Sequence, residues 1–115
     1  MRLEKIRDIL EADMPAGEDM LDMEISSACG SDMMSDVLAL LHDQAILLTG
    51  LVNPQVIRTS MMMDMHCIVF VRGKQPTPEM VELAKENKIA LLTTKLGMFK
   101  ACGKLYTAGL ANEVV

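Results

Sequence analysis

Aromatic side chains are scarce in this sequence: no Trp, one Tyr and two Phe among 115 residues. Half the residues are apolar and 12 are Met, so the core has to be aliphatic and rich in thioethers. Met is unbranched and polarisable; it fills irregular gaps, and where exposed it makes an adaptable contact surface. Cysteine is scarce too. Cys29, Cys67 and Cys102 are odd in number and lack a Cys-x-x-Cys spacing, which argues against a disulfide framework and a structural zinc site. The histidines are His42 and His66. His66 adjoins Cys67, but neighbours on a strand point to opposite faces, so the pair chelates poorly. No metal and no cofactor is expected.

Positive charge is also limited. The net charge is −5, and the Lys and Arg residues form no run. Phosphate neutralisation along a nucleic acid needs a basic stripe, so nucleic acid is not an expected partner. A cationic amphipathic helix is missing, and no apolar run approaches the roughly 20 residues that span a bilayer. No membrane partner is expected. The first residues, Met1-Arg2-Leu3-Glu4-Lys5, mix charged and apolar residues and hold no signal-peptide core, so the expected location is cytoplasmic.

Familiar catalytic patterns are absent as well. There is no Gly-x4-Gly-Lys-Ser/Thr phosphate loop, no Gly-x-Gly-x-x-Gly after a strand and no Gly-x-Ser-x-Gly elbow. The chain is expected to be a non-enzyme, with no catalytic residues to name. Its length suits one domain over residues 1–115.

What is present is an alternation of short apolar strands and amphipathic helices. Leu3, Ile6, Ile9 and Leu10 recur at helical spacing, and the helix is expected to end near Glu11. An extended piece over residues 12–17 leads into a turn at Pro15-Ala16-Gly17. Residues 25–29 read as a strand, after which Ser31 or Asp32 is placed to cap a helix carrying Met33, Met34, Val37, Leu38 and Leu41. That helix is expected to stop near His42-Asp43-Gln44. Ala45-Ile46-Leu47-Leu48 is apolar throughout, as a strand covered on both faces should be. Asn53 is an N-cap with Pro54 at the first helical position, and the helix runs to about Met65. Residues 67–71 form the next buried strand. Thr77-Pro78 repeats the capped start, and Asn87 is expected to end that helix in a left-handed conformation. Residues 89–92 are a further strand. In the last helix Leu96, Phe99, Cys102 or Gly103, Tyr106 and Leu110 share a stripe, and Gly109 caps the end. Gly97 and Gly103 weaken it by about 1 kcal/mol each relative to Ala, which points to close approach by the sheet or a second chain. The repeating pattern predicts an α/β fold: three α/β/α layers around a mainly parallel sheet.

In open parallel sheets, ligands bind at the carboxyl ends of the strands. Those ends hold Gly30, Ser31 and Asp32; Thr49 and Gly50 with Asn53; Arg72, Gly73 and Lys74; and Thr93, Thr94 and Lys95. Gly permits close backbone approach, helix starts offer free N–H groups, and three cations lie near. Together they make a candidate site for a carboxylate or phosphate. The same residue types are also ordinary turn formers. Asp32 and Asp36 lie one helical turn apart, and a pair favoured by the helix dipole explains them more simply than acid/base catalysis. Cys29, beside a helix start, is the one thiol to test for a lowered pKa.

The segments from Gly30 to Leu38, Leu47 to Thr59 and Ile68 to Lys74, continuing through Glu79 to Asn87 and Leu92 to Gly103, resemble the short stand-alone DRTGG-domain proteins of bacteria and archaea. The resemblance implies a fold similar to the amino-terminal domain of HPr kinase/phosphorylase, without its kinase site. It also implies a regulatory or dimerising role, since such domains accompany CBS domains in regulated pyrophosphatases and occur in phosphotransacetylase-type proteins. The expected function is therefore a homodimerising regulatory module that takes a small anionic ligand or nucleotide at the strand ends. The alternative is an interaction or assembly subunit, because some members are encoded near iron-only hydrogenase and serine-kinase genes. That context implies a protein partner in a redox or kinase signalling system. The chain departs from the family in one place: Gly50-Leu51-Val52 stands where many members carry Gly-Asp-Arg.

Overall fold

Three apolar segments, Ala45–Thr49, Cys67–Phe70 and Ala90–Thr93, are buried at every position, so each must be covered on both faces. The computed structural model describes residues 1–39 and 45–111 and makes these segments the middle of one five-stranded sheet. In chain order its elements are α1 (Leu3–Leu10), β1 (Asp13–Ala16), β2 (Ser27–Gly30), α2 (Met34–Leu38), β3 (Ala45–Thr49), α3 (Pro54–Met62), β4 (Cys67–Phe70), α4 (Pro78–Glu86), β5 (Ala90–Thr93) and α5 (Met98–Thr107), with a 3-10 turn at Glu18–Met20. The strand order is β1-β5-β4-β3-β2. Strands β2 to β5 are parallel neighbours in sequence order, and β1 closes the far edge antiparallel to β5.

That order dictates the layers. Crossovers that always step the same way must all pass over the same face. Accordingly Val37 of α2, Val56 and Ile57 of α3 and Met80 and Ala84 of α4 share a core with Leu47, Ile68, Phe70 and Leu91. Helices α1 and α5 cover the other face, where Leu3, Ile6, Leu10, Ala101 and Leu105 meet Ile46, Leu48, Val69 and Leu92. Alternating residues of each strand serve opposite cores, which is why the strands read as unbroken apolar runs. The expected α/β/α architecture with a mainly parallel sheet is the one observed.

Both predicted proline starts hold. The Asn53 side chain accepts the Gln55 N–H at 2.8 Å, and the Thr77 hydroxyl accepts the Met80 N–H at 3.2 Å. Helix α2 departs from expectation. Its N-cap is Met33, with no side-chain cap. The Ser31 hydroxyl takes the Met33 N–H one step too early, at 3.0 Å, and Asp32 is engaged elsewhere. The expected stop of this helix at His42-Asp43-Gln44 lies outside the described residues.

Helix ends hold a second correction. Asn87 is not left-handed: its φ is −108°, and Lys88 takes the left-handed position at φ 55°. The Ile89 N–H then reaches back to the Ala84 carbonyl at 2.9 Å, closing a Schellman motif. Asp64 ends α3 the same way, and Gly109, at φ 115°, ends α5. Helix α3 stops at Met62 rather than Met65, because Met65 N–H bonds the Ser60 carbonyl in that motif.

The stripe assigned to α5 is out of phase. Ala101 and Leu105 face the sheet, while Phe99 is 93% and Tyr106 66% exposed. Aromatic residues at helical spacing looked like a core face, but small Ala101 is what lets the helix lie close over the strands. An added Cβ at Gly97 or Gly103 meets nothing within 4 Å, so neither glycine exists for contact with the sheet.

Candidate functional site

The carboxyl ends of β2, β3 and β4 are tied together by one carboxylate. Asp32, just beyond β2, turns across to β3, where its Oδ1 accepts the Gly50 N–H at 2.7 Å and the Thr49 hydroxyl at 3.0 Å. Its Oδ2 stands 3.6 Å from Nη2 of Arg72, which follows β4. Thr49 Oγ1 in turn accepts the Leu51 N–H at 3.1 Å and so shapes the turn beneath. The Asp32 and Arg72 side chains are each about half exposed, so the arrangement faces solvent. The Gly50 N–H foremost, with help from the Thr49 hydroxyl and the Arg72 charge, holds the Asp32 carboxyl below the usual range against the opposing effect of partial desolvation.

Arg72 is fixed from behind. It takes a left-handed φ of 60° and Gly73 follows at 70°. Their N–H groups donate to the Leu96 carbonyl at 2.7 Å and the Thr94 carbonyl at 2.9 Å. The turn after β4 is thus clamped onto the turn after β5. A non-glycine residue at positive φ is sterically costly and persists where its surroundings enforce it. Here two backbone bonds do so, and they aim the guanidinium back over Gly50.

Beside this clamp a cleft opens at the end of β5, lined by Leu10, Glu11, Asp13, Gly73, Gln75 and the Thr93-to-Leu96 segment. The Thr94 hydroxyl is spent in the cleft wall, donating to the Leu10 carbonyl at 2.8 Å. Lys95 is exposed at its rim.

The candidate residues of the sequence therefore divide. Asp32, Thr49, Gly50 and Arg72 converge. Gly73, Thr93, Thr94 and Lys95 lie together in the neighbouring cleft. Gly30 faces α5 instead, where a Cβ would meet Cys102 Sγ at 3.0 Å. Ser31 and Asn53 use their side chains in local turns, and Lys74 is exposed beyond them. Leu10, Glu11, Asp13 and Gln75 carried no signal, because only the packing of α1 and β1 brings them to this edge.

Two of the three thiols, Cys67 and Cys102, are poorly placed as nucleophiles. Burial pushes the Cys67 and Cys102 thiols up, away from the reactive thiolate. Cys29 is buried in β2. Among the described residues, no three His, Cys, Asp or Glu side chains gather as metal donors, and no helix is long and apolar enough to cross a membrane.

Such a fold and edge define a small three-layer α/β domain with charged and hydrogen-bonding groups gathered at its strand ends. The chain belongs to the DRTGG domain family, which it matches over residues 5–108. No curated protein matches it. Among solved structures it is similar to the CBS and DRTGG domains of the regulatory region of Clostridium perfringens pyrophosphatase, complexed with the activator diadenosine tetraphosphate. The TM-score is 0.75 at 21% identity, over 90% of this chain and 45% of that one. The present chain thus spans less than half of its neighbour, and at that identity the likeness is one of fold. Leu51 and Val52, just after the Gly50 turn, are partly buried against the core under α2, α3 and α4.

Proposed function

We propose that the chain is a non-enzymatic regulatory module, a single domain that binds a small anionic ligand at the carboxyl ends of β3, β4 and β5 and works as a homodimer. One observation carries the ligand reading: this edge already holds a carboxylate with a backbone N–H, a hydroxyl and a guanidinium. The same donors suit a phosphate oxygen, and Arg forms strong charge-assisted bonds to either group. Lys95, exposed at the rim of the adjoining cleft, extends the surface for a longer polyanion. The activator of the pyrophosphatase neighbour, a dinucleoside polyphosphate, supports including that class among trial ligands.

A thermal-shift screen of nucleotides, dinucleoside polyphosphates and phosphorylated metabolites tests this. A ligand at 100 times its dissociation constant adds about 2.7 kcal/mol to stability and should move the melting temperature visibly. If no member of the screen shifts it, the ligand reading falls. Sedimentation at micromolar concentration tests the homodimer, and a strict monomer removes it.

A second reading, an interaction subunit of a hydrogenase or related redox assembly, draws on the exposed apolar side chains. Met33, Leu38, Met61 and Met62 are exposed on or beside α2 and α3, and Phe99 and Tyr106 on α5. Large exposed apolar residues that cluster mark contact surfaces. Co-purification separates the readings: a stoichiometric protein partner retained in salt favours the second.

A further inference from the structure

The groups around Asp32 differ in how firmly they are held. Gly50 and Thr49 close β3, which is buried from end to end, and Arg72 is pinned by two backbone bonds to the β5 turn. Asp32 lies on the connection into α2, a helix of five residues with no side-chain cap, whose one fully buried residue is Val37. The Ser31 N–H still joins the sheet through the Leu48 carbonyl at 3.0 Å. Beyond that bond, among the described residues, Asp32 itself makes the polar ties from this connection to the β3 end. The donors are therefore on rigid parts and the acceptor is on a tether.

We propose that Asp32 is a built-in competitor for the anion site: a phosphate-type oxyanion binds by displacing its carboxylate from Gly50, Thr49 and Arg72. This rests on the ligand reading above and adds how that site is regulated. No new receptor has to be assembled, since all three donors are already aimed at one half-exposed point. A phosphate monoester carries more negative charge than a carboxylate and has three acceptor oxygens, so it satisfies the same donors more strongly. The displacement reports itself. Once Asp32 lets go, the β2-to-α2 connection loses its side-chain tie to β3 and keeps only the Ser31 backbone bond, so occupancy of the site is transmitted to α2 and the surface that carries Met33 and Leu38.

Competition from a tethered group lowers apparent affinity by the fraction of molecules whose site is open. Removing the tethered carboxylate should restore that loss. The experiment is a titration of the wild type, D32A, D32N and R72A with inorganic pyrophosphate, followed by the Gly50 amide resonance and by calorimetry. If about one molecule in ten is open at a time, D32A binds about tenfold tighter than wild type. D32N, which keeps an oxygen acceptor but no charge, falls between them, and R72A binds weakly or not at all. In wild type the α2 amides shift together with Gly50. Equal affinity of D32A and wild type, with R72A weakened, overturns the competitor while leaving the site. Absence of pyrophosphate binding in every variant, each shown folded by its amide spectrum, overturns the site and the competitor with it.

Discussion

The guanidinium of Arg72 lies over the backbone of Gly50, in the space where a side chain at residue 50 would begin. Gly50 has no left-handed φ to require glycine. The requirement comes from Arg72, a residue distant in sequence and adjacent across β3 and β4. Replacing Gly50 with Ala should expel the guanidinium and loosen its pairing with Asp32, at a cost of about 1 kcal/mol. In an R72A background the same change should cost nearly nothing. A double-mutant cycle by urea denaturation measures the coupling, expected to exceed about 0.5 kcal/mol; additive effects would show that the two residues are independent.

Two other glycines should respond in opposite directions. Gly17 has φ 89°, and a Cβ there would meet Ala90 Cα at 2.6 Å, so both conformation and contact forbid a side chain. G17A should cost about 2 kcal/mol or more. Gly103 is in the exposed middle of α5 with open space around it, so G103A should stabilise the monomer by about 0.5–1 kcal/mol. Urea midpoints of the two variants should bracket that of wild type.

The end of α4 offers a stabilising change. Lys88 holds a left-handed backbone at φ 55°, where glycine carries no steric penalty. K88G should gain up to about 1 kcal/mol. N87G should lose stability, because Asn87 is not left-handed and its side-chain amide donates to the Leu83 carbonyl at 2.8 Å. A thermal melt in which N87G gains and K88G loses would contradict the assignment of the two positions.

Asp32 makes stability depend on pH in a defined direction. Its folded carboxyl is held below the ordinary value, chiefly by the Gly50 N–H. Its contribution is therefore present above the unfolded Asp value of about 3.9 and disappears as pH falls through the lowered folded value. Carbon NMR titration of the Asp32 carboxyl should show the depressed midpoint. D32N should be less stable than wild type at neutral pH, and the gap should narrow as pH falls through the lowered carboxyl value.

Thiol alkylation should be ordered by burial. Cys102, on α5, is partly accessible, whereas Cys67 is completely enclosed in β4 and its thiol is pushed well up by burial. Under native conditions iodoacetamide should modify Cys102 slowly and spare Cys67 until denaturant is added. Mass spectrometry that finds native Cys67 modified first would be incompatible with its place in the sheet.

Much of this molecule is local and therefore legible in the sequence alone. Buried strands announce themselves as continuous apolar runs, and Asn53-Pro54 and Thr77-Pro78 mark helix starts through bonds that span only a few residues. The family follows from the order of those segments. Other features depend on distant partners. Asp32 looked like a helix cap, because a cap and a strand-end latch use the same acceptor oxygen. Only the neighbouring position of β2 and β3 offers it the Gly50 N–H instead. Phe99 and Tyr106 had core spacing, yet periodicity identifies a stripe without saying which side meets the sheet; Ala101 decides that by allowing close approach. Arg72 could be placed at a strand end, but its reach over Gly50 depends on backbone bonds to Thr94 and Leu96, supplied by a turn that lies beside it only once β4 and β5 have paired.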